Sequence, residues 1–433
     1  MNPHAGGPAL DFTIARHGSG NIPSPMSGVR FVQDDERVLY PSTLADLTRL
    51  RGPGNEPPAM ERGGPRERLF FDPRALACGI VTCGGLCPGL NDVIRAIVLS
   101  LHHHYGVRTI YGFRYGFEGL VDGSGHEPIE LVPDAVRRIH EMGGSILGSS
   151  RGPQPPAAIV DGLERRGVSI LFAIGGDGTL RGAHAICGEI SRRGLPISVI
   201  GVPKTIDNDI SFVQRTFGFE TAVSEARRAT YAANTEAEAA RNGIGLVKLM
   251  GRDSGFIAAY AVLVDGQVNF CLVPEVPFTL ERLLAELDRR LERRGHAVIV
   301  VAEGAGQDLI ARQREQDASG NVRHHDIGVF LRDHILGHFD ARQRPVSLKY
   351  IDPSYAIRSV PATAHDSAFC LLLGHNAVHA GMSGRTDMVV GYWNHLFTHV
   401  PITLATSERR RIDPEGALWS SVLASTGQPR DMR

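Results

Sequence analysis

A two-domain α/β fold, each domain built on a parallel or mostly parallel sheet flanked by helices, is predicted by this sequence on three observations. Short apolar runs that end in glycine-rich or acidic loops and lead into amphipathic helices recur from about residue 75 to residue 202. A second set of such runs begins near Gly243. The chain has 433 residues, enough to bury two cores. Strand, loop and helix in repetition are the pattern of a parallel sheet with its crossovers.

Taken in order, residues 1–72 are rich in proline and glycine (SGNIPSPMSG, RGPGNEPPAMERGGPRER), which excludes a long helix or a central strand. This N-terminal extension is expected to be partly ordered and wrapped on the body, with residues 1 to about 20 mobile. The first domain is expected over 73–217. Ala77–Thr82 reads as a buried strand; Gly84-Gly85-Leu86-Cys87-Pro88-Gly89 turns the chain, and Asn91 is expected to cap a helix with Val93, Ile94, Ile97, Val98 and Leu101 on one face. Ser169–Ile174 and Leu195–Val202 read as further strands, followed by GGDGT with a helix and by PKTIDND. The second domain, 218–360, opens on the strands Ile244–Leu249 and Ala297–Ala302, with an amphipathic helix over Thr279–Arg294. A C-terminal segment, 361–433, is expected to return and complete earlier units.

Composition narrows the function classes. A net charge of −1 gives no electrostatic case for nucleic acid or a membrane surface. Cys78, Cys187, Cys271 and Cys370 lie in apolar runs, and Cys83 and Cys87 lack the second pair or nearby histidine of a zinc set. No basic segment followed by an apolar stretch opens the chain, and no apolar run has the length of a membrane span, so a cytoplasmic protein with reduced thiols is expected.

The polar loops fall at the carboxyl ends of strands, where ligands of parallel sheets bind. The GGLCPG turn offers backbone amides at a helix start, a seat for phosphate, though it lacks the Gly-Lys-Ser/Thr ending of a Walker loop. Taken alone it reads better as a structural turn. In Gly175-Gly176-Asp177-Gly178-Thr179 the glycines admit a nucleotide and Asp177 can reach a hydrated magnesium ion; a βα turn capped by Asp177 explains the same residues equally well. Asp207-Asn208-Asp209 sets two carboxylates beside a strand end, one to activate a hydroxyl while the other orients its partner or stays near metal. Met250-Gly251-Arg252 and Glu303-Gly304 put a guanidinium and a carboxylate where a sugar phosphate could use both, although either could equally be a surface ion pair. His102–His104 reads as a solvated helix end, His324-His325-Asp326 as a lead-in to the next element, and Lys248 as outward-facing or paired with a carboxylate.

Together these loops resemble the phosphofructokinase family over roughly residues 75 to 400. GGLCPGLN, GSSRG, GGDGT, PKTIDNDI, KLMGRDSGFIA, AEGAG and KYIDPSYAIRS stand in the family's order. GGDGT also occurs in NAD kinases and lipid kinases, whereas TIDND followed by MGR about forty residues later is far more specific. The match is to the longer plant, protist and bacterial branch, related to the pyrophosphate-dependent enzymes but with ATP-type donor residues.

The resemblance implies transfer of a phosphoryl group from ATP to fructose 6-phosphate, with magnesium, in a cleft between the two domains. By this resemblance Gly84, Arg151, Gly152, Gly176, Asp177, Gly178 and Thr179 hold ATP, with Asp177 serving the metal. Asp207 is the general base, and Thr205, Asp209 and Arg151 complete the catalytic set. Thr205, Ile206, Asp207, Met250, Gly251, Arg252, Glu303, Tyr355, Ala356, Ile357 and Arg358 bind fructose 6-phosphate. Gly178 and Lys204 bear on the donor: pyrophosphate users carry aspartate at the first position, and lysine at the second is compatible with both donors. A homodimer or homotetramer is implied, but Gly243 stands where short bacterial enzymes carry an arginine for the neighbouring subunit. The alternatives are a pyrophosphate-dependent phosphotransferase, a non-catalytic nucleotide sensor, which has no need of Asp207, and a NAD or lipid kinase, which would leave the sugar-phosphate loops unused.

Overall fold

The computed structural model describes residues 10–50, 56–310 and 324–433, and its contacts divide the chain into two units. The first unit takes the described chain up to Thr205, with Ile210–Gly218 and Val360–Glu408. The second takes Ile206–Asp209, Phe219–Ser359 and Arg409–Arg433. The chain from Val360 onward therefore divides at Glu408, each part joining a different unit.

The first unit carries a nine-stranded sheet in the order Arg37–Leu39, Ala59–Arg62, Leu396–Pro401, Met388–Trp393, Ser198–Pro203, Val168–Gly175, Ala77–Thr82, Thr109–Phe113, Ile129–Glu130. From Met388–Trp393 to Thr109–Phe113 neighbouring strands run parallel, and the strands outside them pair antiparallel. Ala77–Thr82 and Ser198–Pro203 are buried at every residue, as central parallel strands covered on both faces must be. With the strand Val168–Gly175 between them and the helix Asp177–Arg193, their apolar side chains close one core that includes Val81, Leu171, Ala173, Leu180, Ile186 and Val199.

The N-terminal segment supplies edge strands of this sheet and is fastened by buried charge. Glu61 takes Arg16 at 2.6 Å, Arg66 at 3.1 Å and His399 at 3.0 Å, as well as Arg385. Burial alone would raise the Glu61 pKa, but His399 and Arg385 outweigh it and hold the carboxyl well below the ordinary range. Of the mobility expected over residues 1 to about 20, the part over 1–9 lies outside the described residues. From Leu10 onward the chain is docked instead: Phe12 and Ile14 are buried, and Ala15–Arg16 pairs with Arg385–Thr386. The alternation Leu10, Phe12, Ile14 puts alternate side chains against the body in an extended segment that leads into the strand Ala15–Arg16.

The second unit carries an all-parallel sheet in the order Phe270–Leu272, His296–Ala302, Gly243–Leu249, Ser347–Ile351. The helix Leu280–Arg294 buries Leu283, Leu284, Leu287 and Leu291 on it. Thr279 Oγ1 accepts from the Arg282 amide at 3.3 Å, and Gly295, at φ 76°, ends the helix in the left-handed region.

Candidate active site

In the first unit, Ala77–Thr82, Val168–Gly175 and Ser198–Pro203 lie side by side and parallel, so the loops that follow them leave the same edge of the sheet. Gly84, at φ 84°, begins the first loop. Its amide donates to the Ser150 carbonyl at 3.0 Å, and Ser149 Oγ donates to the Gly84 carbonyl at 2.6 Å, so the GSSRG segment is laced to the glycine turn. Arg151 and Gly152 follow, both exposed. Asn91 does not cap the helix; Gly89 precedes Leu90–Leu99 at φ 94°, where the chain enters in a left-handed conformation that suits glycine. The Asn91 amide instead spans the next loop, donating to the Met142 carbonyl at 3.1 Å and accepting from the Ile146 amide at 2.9 Å.

Gly176 precedes the helix Asp177–Arg193, so Asp177 is its first residue and its carboxylate sits at the positive end of the helix. Arg181, one turn on, lies 3.2 Å from Asp177 Oδ2, and the carboxylate remains partly open. A side chain at Gly175 would fall 2.1 Å from Thr179 Oγ1, which fixes glycine there. Nothing lies within 4 Å of a side chain at Gly178, which is exposed. Lys204 is buried; its amide donates to the Gly175 carbonyl at 3.0 Å and its Nζ donates to the Gly85 carbonyl at 2.7 Å. The two glycine loops expected to hold the donor are thus joined through Lys204. Thr205 closes this unit's share, its carbonyl accepting from Thr216 Oγ1 at 2.7 Å.

In the second unit, Gly243–Leu249 lies beside both His296–Ala302 and Ser347–Ile351, all parallel. Met250–Arg252, Glu303 and Tyr355–Arg358 therefore leave one edge of that sheet. The Arg252 amide donates to Glu303 Oε1 at 2.9 Å, and Arg252 holds φ at 50°, a region costly for a side chain and common at functional sites. Tyr355 is exposed, with the Arg358 guanidinium carbon 5.0 Å from the centre of its ring; Ala356–Arg358 forms a turn of its own, with Ile357 buried, packed on the helix Phe219–Ala239.

Asp207, Asn208 and Asp209 are all buried in this unit, as is Ile206. Burial raises the Asp207 pKa well above the ordinary carboxylate range; the charges of Asp209 and Glu303 push it the same way, while Arg252 and Arg409 oppose them. The structure thus gathers Asp207, Asp209, Arg252 and Glu303 into one charged cluster. A carboxylate of raised proton affinity beside fixed guanidinium groups can take a proton from a hydroxyl and leave an adjacent anion neutralised. Arg409, whose Nη1 lies 3.6 Å from Asp209 Oδ2, was not singled out by the sequence reading. The visible signal was the run Arg409-Arg410-Arg411, but nothing local says which of three arginines turns inward.

Among the described residues no group of three or more histidine, cysteine, aspartate and glutamate side chains is placed to hold a metal ion. None of their helices is long and apolar enough to cross a membrane.

Comparison with known proteins yields one family. Residues 77–381 match the model described as phosphofructokinase. The chain is 50% identical to an ATP-dependent 6-phosphofructokinase of Borreliella burgdorferi, covering 98% of this chain and 95% of that one. It is 49% identical to the enzyme of that name from Amycolatopsis methanolica, over 93% of this chain and 89% of the other. With that of Trypanosoma brucei brucei the identity is 46%, over 95% and 86%. A solved pyrophosphate-dependent phosphofructokinase from Marinobacter aquaeolei has the same fold, with a TM-score of 0.67 at 19% identity over 81% of this chain and 91% of that one.

Proposed function

The chain belongs to the phosphofructokinase family, and from that premise we propose that it is an ATP-dependent 6-phosphofructokinase of glycolysis. It moves the γ-phosphoryl of ATP to the 1-hydroxyl of fructose 6-phosphate, giving fructose 1,6-bisphosphate and ADP. The observation that carries this reading is the buried Asp207 with Asp209, Glu303, Arg252 and Arg409 around it. Asp207 takes the hydroxyl proton as the oxygen attacks, and the guanidinium groups offset the charge that gathers there. Phosphoryl transfer asks a protein for little more than such positioning and neutralisation.

Arg252 and Arg358 hold the sugar phosphate, and Glu303 and Tyr355 take its hydroxyls, with Met250, Gly251, Ala356 and Ile357 shaping that surface. Thr205 and Ile206 lead into the base, and Asp209 orients it. Gly84, Arg151 and Gly152 bind the nucleotide phosphates beside Gly176–Thr179.

Magnesium fits the donor half in one way. Asp177 is a single, partly open carboxylate at a helix start, which suits an ion that keeps its waters and travels on nucleotide phosphates. When bound with ATP, the ion neutralises phosphate charge.

The open space beside Gly178 favours ATP, because it leaves room for the α-phosphate and the nucleoside. Pyrophosphate as donor is the second reading. Lys204 admits it, since a cation joined to the glycine loop serves either phosphate chain. A coupled assay of fructose 6-phosphate phosphorylation with ATP or pyrophosphate separates the two. Turnover with ATP is expected, and Gly178→Asp should depress it strongly by filling the space and repelling phosphate charge. A wild type that used pyrophosphate and ignored ATP would overturn the donor while leaving the acceptor in place.

A further inference from the structure

Arg409–Ile412 opens the last stretch of chain in the second unit, and it is bound to the Asp207–Asp209 loop and to the loop that follows Arg252. The Arg410 amide donates to the Asp209 carbonyl at 2.8 Å, and Arg410 Nη1 donates to the Asn208 carbonyl at 3.4 Å. On its other side Ser254 Oγ donates to the Arg410 carbonyl at 2.7 Å. The Arg410 guanidinium lies over Phe256, 5.4 Å from the ring centre. Arg409 Nη1 stands 3.6 Å from Asp209 Oδ2 and 3.4 Å from Asp253 Oδ2. Glu275 locks the far end, accepting from the Gly255 amide at 2.9 Å and from the Ile412 amide at 3.0 Å. Asn208 is held meanwhile at φ 54° and Arg252 at φ 50°, conformations that persist only where neighbours over-determine them.

We infer that Arg409 and Arg410 are positioning residues of the active site: a strap that ties the Asp207-Asn208-Asp209 loop to the Arg252-Asp253-Ser254 loop and sets the Arg409 guanidinium against the acidic cluster. The inference deepens the reading of Asp207 as the base. Arg410 acts through backbone, holding the loop in its left-handed turn. Arg409 acts through charge, facing Asp209 and Asp253 directly. The charged groups around Asp207 are Asp209 and Glu303, which favour its protonated form, and Arg252 and Arg409, which favour the carboxylate. Removing Arg409 takes away one of the cations that favour the carboxylate.

The full-length enzyme with Arg409→Gln, Arg409→Lys, Asp253→Asn and the exposed control Arg293→Gln, on the helix Leu280–Arg294, tests this. Loss of a charge-assisted contact predicts a fall in kcat of roughly tenfold to hundredfold for Arg409→Gln. The KM for ATP should hold, and the acid limb of the pH profile should move to higher pH. Arg409→Lys keeps the charge and should restore the limb's position, and Arg293→Gln should match the wild type. Amide exchange over 207–209 and 252–255 should speed in Arg409→Gln whatever the substrate. Should that variant fail to fold, Asp253→Asn, which removes one tether, should speed exchange over 252–255 to a smaller degree, while its acid limb, having lost a negative charge nearby, should not move to higher pH. Unchanged kcat and unchanged exchange would overturn the strap, as would an equal loss in Arg293→Gln. An enzyme inactive on fructose 6-phosphate whose Arg409→Gln variant nevertheless exchanged faster would sink the substrate reading and leave the strap standing.

Discussion

At the scale of single residues, Asp207 places function and stability in opposition. Its carboxyl keeps a proton to higher pH in the folded chain than in the unfolded one, where 3.8 is the ordinary value. Between that value and the raised one folding takes up a proton, so stability falls as pH climbs through the window, and the full cost is present above it. The ionised form is also the one that can act as a base, so activity is lost as pH falls through the same raised value. Asp207→Asn is therefore expected to lower kcat by about 10²–10⁴-fold while leaving fructose 6-phosphate binding largely intact. The same variant should melt roughly 2–4 °C higher, since it removes a buried, repelled charge. Steady-state kinetics and a melting curve on one preparation check both. Near-normal turnover would remove Asp207 from the role, and a lower melting point would deny that its charge is a burden. The residue types at this position, Asp209 among them, were readable from TIDND. The raised proton affinity was not, because it comes first from burial and then from Asp209 and Glu303, against Arg252 and Arg409, and neither the burial nor the last three neighbours is local to the motif.

Loops are the element at which this fold does its work, and close backbone approach sets them. A side chain at Gly304 would stand 1.9 Å from the Arg252 carbonyl oxygen, while the Glu303 amide donates to the Leu249 carbonyl at 2.8 Å. Gly304 thus holds the place that lets Arg252 adopt its left-handed turn. Gly304→Ala should raise the KM for fructose 6-phosphate by roughly tenfold to hundredfold with a smaller change in kcat, because it displaces a charged contact to the phosphate. An unchanged KM would show that the Arg252 loop yields without penalty. Elements were readable where periodicity was strong: the leucines of 283, 284, 287 and 291 mark one helix face, and Thr279 announces its start. Asn91 was misread because its partners, Met142 and Ile146, lie in a loop with no pattern of its own. Lys248 does meet carboxylates, Asp326 at 3.0 Å and Asp352 at 2.8 Å, and Asp326 caps the helix Ile327–Ala341. Of the three histidines in the π-helical turn Ser100–Tyr105, His103 is exposed as expected, while His104 is half-buried, with its ring 5.1 Å from that of His375.

At the scale of the whole molecule, the α/β class followed from the alternation of strands and helices, but strand order did not. Ala59–Arg62 reaches the large sheet by pairing with Leu396–Pro401, and no local signal announces a partner so far along the chain. The division of the C-terminal segment at Glu408 is equally invisible to composition, and it brings Arg409 to Asp209. The proposed function places the donor contacts in the first unit and, Thr205 apart, the acceptor contacts in the second. Hydrogen exchange measured with each ligand separately tests this most directly. A non-hydrolysable ATP analogue with magnesium should protect 84–91, 149–152 and 176–181, and fructose 6-phosphate should protect 206–209, 250–253, 303–304 and 355–358. Protection of the GGDGT helix by fructose 6-phosphate, with 206–209 and 250–253 left exchanging at their free rates, would contradict it.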